Sequence, residues 1–147
     1  RGGSRPNYCY TNQINEIMRE IRYRGIGIAE RKWVFGSLWF DTRNKATLIW
    51  SEEVEYWVRV DPATVGEYTG LKDKNGKEIY EGDVIRSPLS EDKTRPHRIF
   101  YHTGNAAFMG ALVDRKELCY LRLDQDWIYK FGKEVIGNIH DNPELIK

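Results

Sequence analysis

Apolar and polar residues alternate at every second position along much of the chain, which predicts strands in preference to helices. The clearest case is "VEYWVRV", where Val54, Tyr56, Val58 and Val60 share one face and Glu55, Trp57 and Arg59 the other. "RKWVFGSLWF" carries apolar residues on both parities, which predicts a strand buried on both faces. "ATLIW" follows it as a further strand, and "RIFYH", "AAFMGALV", "ELCYLRL" and "EVIGNI" extend the series. Pro, Gly, Asp and Asn clusters separate these segments at short intervals.

Helical signals are few. Ile14, Ile17, Met18 and Ile21 recur at helical spacing behind Thr11 or Asn12, so the lead reads as a short helix or an unstructured entry. The competing reading starts the domain at Met18, with "REIRYRGIGI" as a strand; on either reading a strand begins near Glu20. Asp61 and Pro62 suit the first positions of a short helical turn, and Asn142 and Pro143 suit another. The polar segment "SPLSEDKTRP", 87–96, predicts a surface loop. The fold expected is mainly β with minor α. An N-terminal strand region, about 18–70, would precede a small SH3-like barrel, about 71–147, with a shared interface near "DPATVGEYTG".

The stretch "TVGEYTGLKDKNGKEIYEGDVI", 64–85, concentrates the turn chemistry. Asn75-Gly76 predicts a two-residue type I′ hairpin, because both central residues of that turn need positive φ. That turn sets Lys74 opposite Lys77, Asp73 opposite Glu78, Lys72 opposite Ile79 and Leu71 opposite Tyr80. Two of those pairs oppose like charges, a cost of tenths of a kcal/mol each. Gly82 then turns the chain sharply, and Asp83 is placed to accept from backbone amides before a buried strand. The glycines do not form a phosphate loop. Gly76-Lys77 is followed by Glu78 and a strand, where a P-loop needs a hydroxyl residue and a helix. Gly25-Ile26-Gly27 lacks its third dinucleotide-binding glycine, since Glu30 stands there.

Composition narrows the classes. The 147 residues are 40% hydrophobic and 13% aromatic, enough for a packed core. Lys plus Arg number 23 against 22 Asp plus Glu, well interleaved, so the strongly basic footprint of a duplex binder is absent. No apolar run approaches the ~18 residues of a membrane span, and no signal segment opens the chain. Cys9 and Cys119 lack C-x-x-C spacing and read as reduced thiols of a cytoplasmic protein, with a single bridge as the alternative.

Candidate chemistry is sparse. His97 and His102 point to opposite faces of one strand, so they do not chelate one ion, and convergence of His102, His140 and Asp141 is not demanded by spacing. Cys119 lies among leucines as a core residue, and no G-x-S-x-G elbow is present. No catalytic residue, metal ligand or cofactor is expected. The aromatics offer more. Trp57 with Arg59 lies opposite the valine face, where it would pack under another element, line a subunit interface or stack on a ligand. Tyr80 with Lys74 and Lys77, and Tyr23 between Arg22 and Arg24, loosely fit stacking on single-stranded nucleic acid.

"MREIRYRG", "WVFGSL", "VDPATVGEYTGLKDKNGKEIYEGDVI" and "EVIGNIHDNPELI" together resemble the YopX protein family of bacteriophages and prophage-bearing bacteria. The resemblance runs from Met18 to Ile146, loosest over 87–125, and makes residues 1–17 an extension ahead of a family-like start at Met18. It implies no catalytic residues, since the family has no established activity. It does imply a homo-oligomer with a phage or host protein as further partner. The expectation is therefore a non-enzymatic, self-associating binding or adaptor protein in the bacterial cytoplasm. A nucleic-acid-binding module is the alternative, and a hydrolase or metal-dependent enzyme ranks below both.

Overall fold

The computed structural model describes residues 19–88, 95–113 and 120–146. The helical lead, Met18, both cysteines and the centre of the 87–96 loop lie outside them. Eleven strands form two antiparallel sheets among the described residues. The first sheet has six strands in the order β4-β3-β2-β1-β5-β6. These are β1 (Tyr23–Ile26), β2 (Trp33–Asp41), β3 (Ala46–Ser51), β4 (Tyr56–Arg59), β5 (Gly66–Lys72) and β6 (Glu78–Tyr80). The second, in the order β10-β9-β8-β7-β11, contains β7 (Asp83–Arg86), β8 (His97–His102), β9 (Ala107–Leu112), β10 (Tyr120–Arg122) and β11 (Glu134–Asn138). The mainly β class expected from the alternation is the class observed.

The first sheet curls. Beyond β4 the chain returns to the end of β1, where Gly27 bridges Val60, Ile28 N donates to Arg59 O at 3.0 Å and Asp61 N donates to Ile26 O at 2.8 Å. Inside the curl Ile49 and Val60 are fully buried. Gly25 makes room for them, since a Cβ there would stand 3.1 Å from Val60. β2 is not buried on both faces, contrary to its composition. Phe35, Trp39 and Phe40 are exposed, because nothing among the described residues packs over that end of the sheet. Asp61 caps the Pro62–Thr64 turn as its sequence predicts, accepting from Ala63 N at 3.0 Å. At the C-terminus Pro143–Ile146 is a 3-10 turn, but the Asn142 side chain reaches back to Asn138 N instead of capping it.

The second sheet is not a closed barrel, which corrects the SH3-like expectation. β6 is taken by β5 into the first sheet, and β10 and β11 remain edges. The open side is filled by a short helix, α1 (Gln125–Lys130), N-capped by Asp124 through Trp127 N at 2.7 Å. Ile128 of α1 joins Ile79, Ile85, Ile99 and Leu123 in a core that draws on both sheets.

The hairpin also differs from its predicted form. Lys72 faces Glu78, and Asp73 N donates to Lys77 O at 2.8 Å, one residue out of the type I′ register. The loop has three residues, Lys74 to Gly76, closed by Gly76 N donating to Asp73 O at 3.0 Å. Of the residues at the tip, Gly76 has positive φ (81°) and Asn75 does not. Two causes favour this register. It replaces both like-charge pairs with opposite ones. It also lets the fully buried Asp73 carboxylate accept from Asn75 N (2.8 Å), Lys77 N (2.9 Å) and Val135 N (3.0 Å).

Candidate functional site

One face of the first sheet carries a stripe of aromatics, and the register assigns each to it. Arg24 stands opposite Phe35 and Gly66, and Tyr68 opposite Tyr80. Ser37, Trp50 and Trp57 lie side by side, as do Trp39, Leu48 and Arg59. At the end formed by β1, β5 and β6 the stripe is covered. Arg24 lies between Trp33, 4.6 Å from its ring centre, and Tyr80, at 5.0 Å. Its guanidinium pairs with Asp83 at 2.7 Å and also donates to Glu81 O at 3.1 Å. Both ions are buried, and Arg24 Nε has no hydrogen-bond partner among the described residues. Trp33 Nε1 donates to Asp141 at 2.8 Å, and His140 packs on the same indole.

The electrostatics follow from this packing. Burial raises the Asp83 carboxyl above its ordinary range, with Arg24 and the bond from Tyr80 N acting against that shift. Burial, reinforced by Arg24, lowers the His140 imidazole. The bond from the Asn138 side chain lowers Asp141. Burial and the bond to Glu78 raise the Tyr80 phenol.

The turn between β6 and β7 ties the sheets together. Gly82, at φ 83°, donates to Ile99 O and accepts from Ile139 N, each at 2.9 Å. The Glu81 carboxylate accepts from Glu67 N at 3.0 Å and Tyr101 N at 3.1 Å. Asp83 does accept from a backbone amide, Tyr80 N at 2.8 Å, and its pairing with Arg24 comes in addition.

At the β2–β4 end the stripe is open. Trp57 packs edge-to-face with Trp39 at 5.4 Å and with Trp50 at 5.5 Å. These three indoles nevertheless remain 39%, 55% and 37% exposed, respectively. A groove of about 500 Å³ lies beside them, between β4 and the turn that follows β1. Ile28, Val34, Val54, Tyr56, Trp57 and Val58 line it, with Glu30, Lys32, Glu53 and Arg59 around them.

Of the residues singled out from the sequence, the structure brings Trp57 and Arg59 together at this open end. Tyr80 does not join them. It is 2% exposed and packs between Arg24, Phe35 and Tyr68, so its ring faces no ligand. Lys74 and Lys77 belong to the hairpin at the opposite edge of the sheet, where Lys74 pairs with Glu134 at 2.9 Å. Asn75, Gly76 and Gly82 are turn residues, whereas Asp83, expected in the turn, opens β7. Among the described residues no group of three His, Cys, Asp or Glu side chains is placed to hold a metal ion. Sequence reasoning named Arg24 only as a cation beside Tyr23 in a stacking surface and missed its burial against Asp83, for which the signal was its place on the parity that also carries Ile26.

A family model described as "YopX protein" matches residues 22–147. The chain is also similar to a solved structure, protein EF1440 from Enterococcus faecalis. The two share 27% identity at a TM-score of 0.58, over 88% of this chain and 100% of that one. No curated protein matches.

Proposed function

The chain belongs to the YopX protein family, and from that premise we propose a non-enzymatic binding protein that self-associates through the open aromatic end of its first sheet. The observation that carries this reading is the interlocked Trp39–Trp50–Trp57 cluster, left more than one-third exposed. Three contiguous indoles on a sheet face form the apolar centre that protein interfaces use, and isolated surface aromatics do not. The phage or prophage setting, and with it the bacterial cytoplasm, is carried over from the resemblance to the family. No helix among the described residues is long and apolar enough to cross a membrane.

Binding of single-stranded nucleic acid is the weaker reading. Bases stack on open ring faces within a cationic groove, whereas here the rings pack edge-to-face on one another, and the neighbouring groove mixes two carboxylates with two cations. Sedimentation of the wild type beside Trp39→Ser and Trp57→Ser tests the proposal. The expected result is a wild-type oligomer that both substitutions dissociate. A wild type that sediments as a monomer at every concentration overturns it.

A further inference from the structure

β4 has an edge whose hydrogen-bonding groups are only partly used. In the β3–β4 ladder Val60 N donates to Thr47 O, so the alternation turns Val58 and Tyr56 toward β3. The same alternation turns the backbone groups of Trp57 and Arg59 the other way, toward β1. There the chain just beyond β1 supplies a single partner to β4, the bond from Ile28 N to Arg59 O. The chain then departs into a turn in which Gly27 N donates to Lys32 O and Arg31 N to Gly27 O. No described residue pairs with the Arg59 amide or with the Trp57 amide and carbonyl. The groove described above is the space that this departure opens.

The geometry points to a peptide-docking site. An extended segment of a partner protein adds to the free part of β4 by strand pairing and inserts an apolar side chain between Ile28, Val34, Val54 and Val58. Main-chain groups spaced along a strand edge recognise an extended backbone, and a flanking pocket reads alternate side chains. A groove of about 500 Å³ lies in the range that takes such groups. Charge selects the class of occupant. Glu30 and Glu53 balance Lys32 and Arg59 around the groove, so the match is to a segment without net charge, and a polyanionic strand gains nothing there. This site goes beyond self-association, because it uses the edge of β4 and the groove wall and shares with the tryptophan cluster only Trp57, while Trp39 and Trp50 do not line the groove.

The test pans random seven-residue peptides displayed on phage against the full chain, then measures the recovered sequences as synthetic peptides by fluorescence anisotropy. The expected peptides are uncharged overall, with apolar residues at alternate positions. Val54→Glu and Ile28→Glu, on exposed positions at different walls, each weaken binding at least tenfold, while Trp39→Ser leaves it within twofold. N-methylation of every second peptide amide abolishes binding in one phase and is tolerated in the other, as strand pairing requires. Failure to enrich such peptides, equal sensitivity to both methylation phases, or loss with Trp39→Ser but not with the groove variants overturns the proposal. The Trp39→Ser arm separates this outcome from failure of the self-association reading.

Discussion

The same aromatic stripe has two different fates at its two ends. Under the junction with the second sheet, Trp33 and Tyr80 enclose an arginine that is buried with its counter-ion, and Tyr68 packs against Tyr80. Across β2, β3 and β4 the same side of the same sheet presents three indoles with no covering element among the described residues. Aromatic composition alone does not separate these cases. What separates them is whether the topology returns a second layer, and here the β6–β7 turn returns one over only half of the sheet.

The largest effect distinguishing the two ends is expected at Asp83. Removing it in Asp83→Ala leaves the Arg24 charge buried without its partner, a change that costs about 3–5 kcal/mol. Urea denaturation should show this loss, and replacing Arg24 and Asp83 together with Met and Leu should recover most of it. A single-substitution loss below about 1 kcal/mol would mean that water reaches the pair and that this end is not closed.

Truncating the aromatics compares the ends directly. Tyr80→Ala deletes a fully buried ring and should cost about 3–5 kcal/mol in the same measurement. Trp57→Ser, at a half-exposed ring, should cost about 1 kcal/mol when the protein is dilute and monomeric. Its main consequence should appear in sedimentation. Equal losses from the two substitutions would erase the distinction between a covered end and an open one.

The covered end should also make stability depend on pH. His140 has its pKa lowered from 6.5 by burial and by Arg24, so the unfolded chain binds the proton more readily than the folded protein. The stability contributed by a neutral His140 is therefore complete above about pH 6.5 and is lost as the pH falls through the lower, folded value. Asp83 acts with the opposite sign. Its raised pKa means that the folded state holds the proton more tightly, so its contribution is greatest below 3.8 and declines as the pH rises through the folded value. Denaturation midpoints between pH 7 and 5.5 should fall for the wild type and fall less for His140→Gln. Identical slopes in the two proteins would place the imidazole in solvent.

How much of this was legible in the sequence follows from the range of each signal. Alternation in "VEYWVRV" and "RIFYH" is local, so the strands were readable, as were the Asp61-Pro62 turn and the sharp turn at Gly82. Trp57 and Arg59 could be placed on the face away from the valines for the same reason. Pairings that depend on distant partners were not readable. Arg24 and Asp83 are 59 residues apart, and Asp73 accepts from Val135 across 62, so no spacing rule marks either acid as buried. Barrel closure failed for the same reason, since it depends on which sheet receives β6. The exposure of β2 escaped because an apolar run has the same composition whether another layer covers it or not.

The smallest expected effect lies at the margin of the covered end, in the hairpin, and it tests how local and distant preferences compete there. A type I′ turn would hold both Asn75 and Gly76 at positive φ, and replacing either with Ala would then cost about 1 kcal/mol or more. In the three-residue loop Asn75 has ordinary backbone angles, and its contribution is an amide bond to Asp73 that alanine keeps. Asn75→Ala should therefore change stability by less than about 0.5 kcal/mol, whereas Gly76→Ala, at φ 81°, should cost about 1 kcal/mol. Urea midpoints of the two variants distinguish the loops. Equal losses would return the turn to its predicted register and detach Asp73 from Lys77. Unequal losses place the decision with Asp73, whose buried carboxylate outweighs the Asn-Gly preference by binding three amides, one of them on β11.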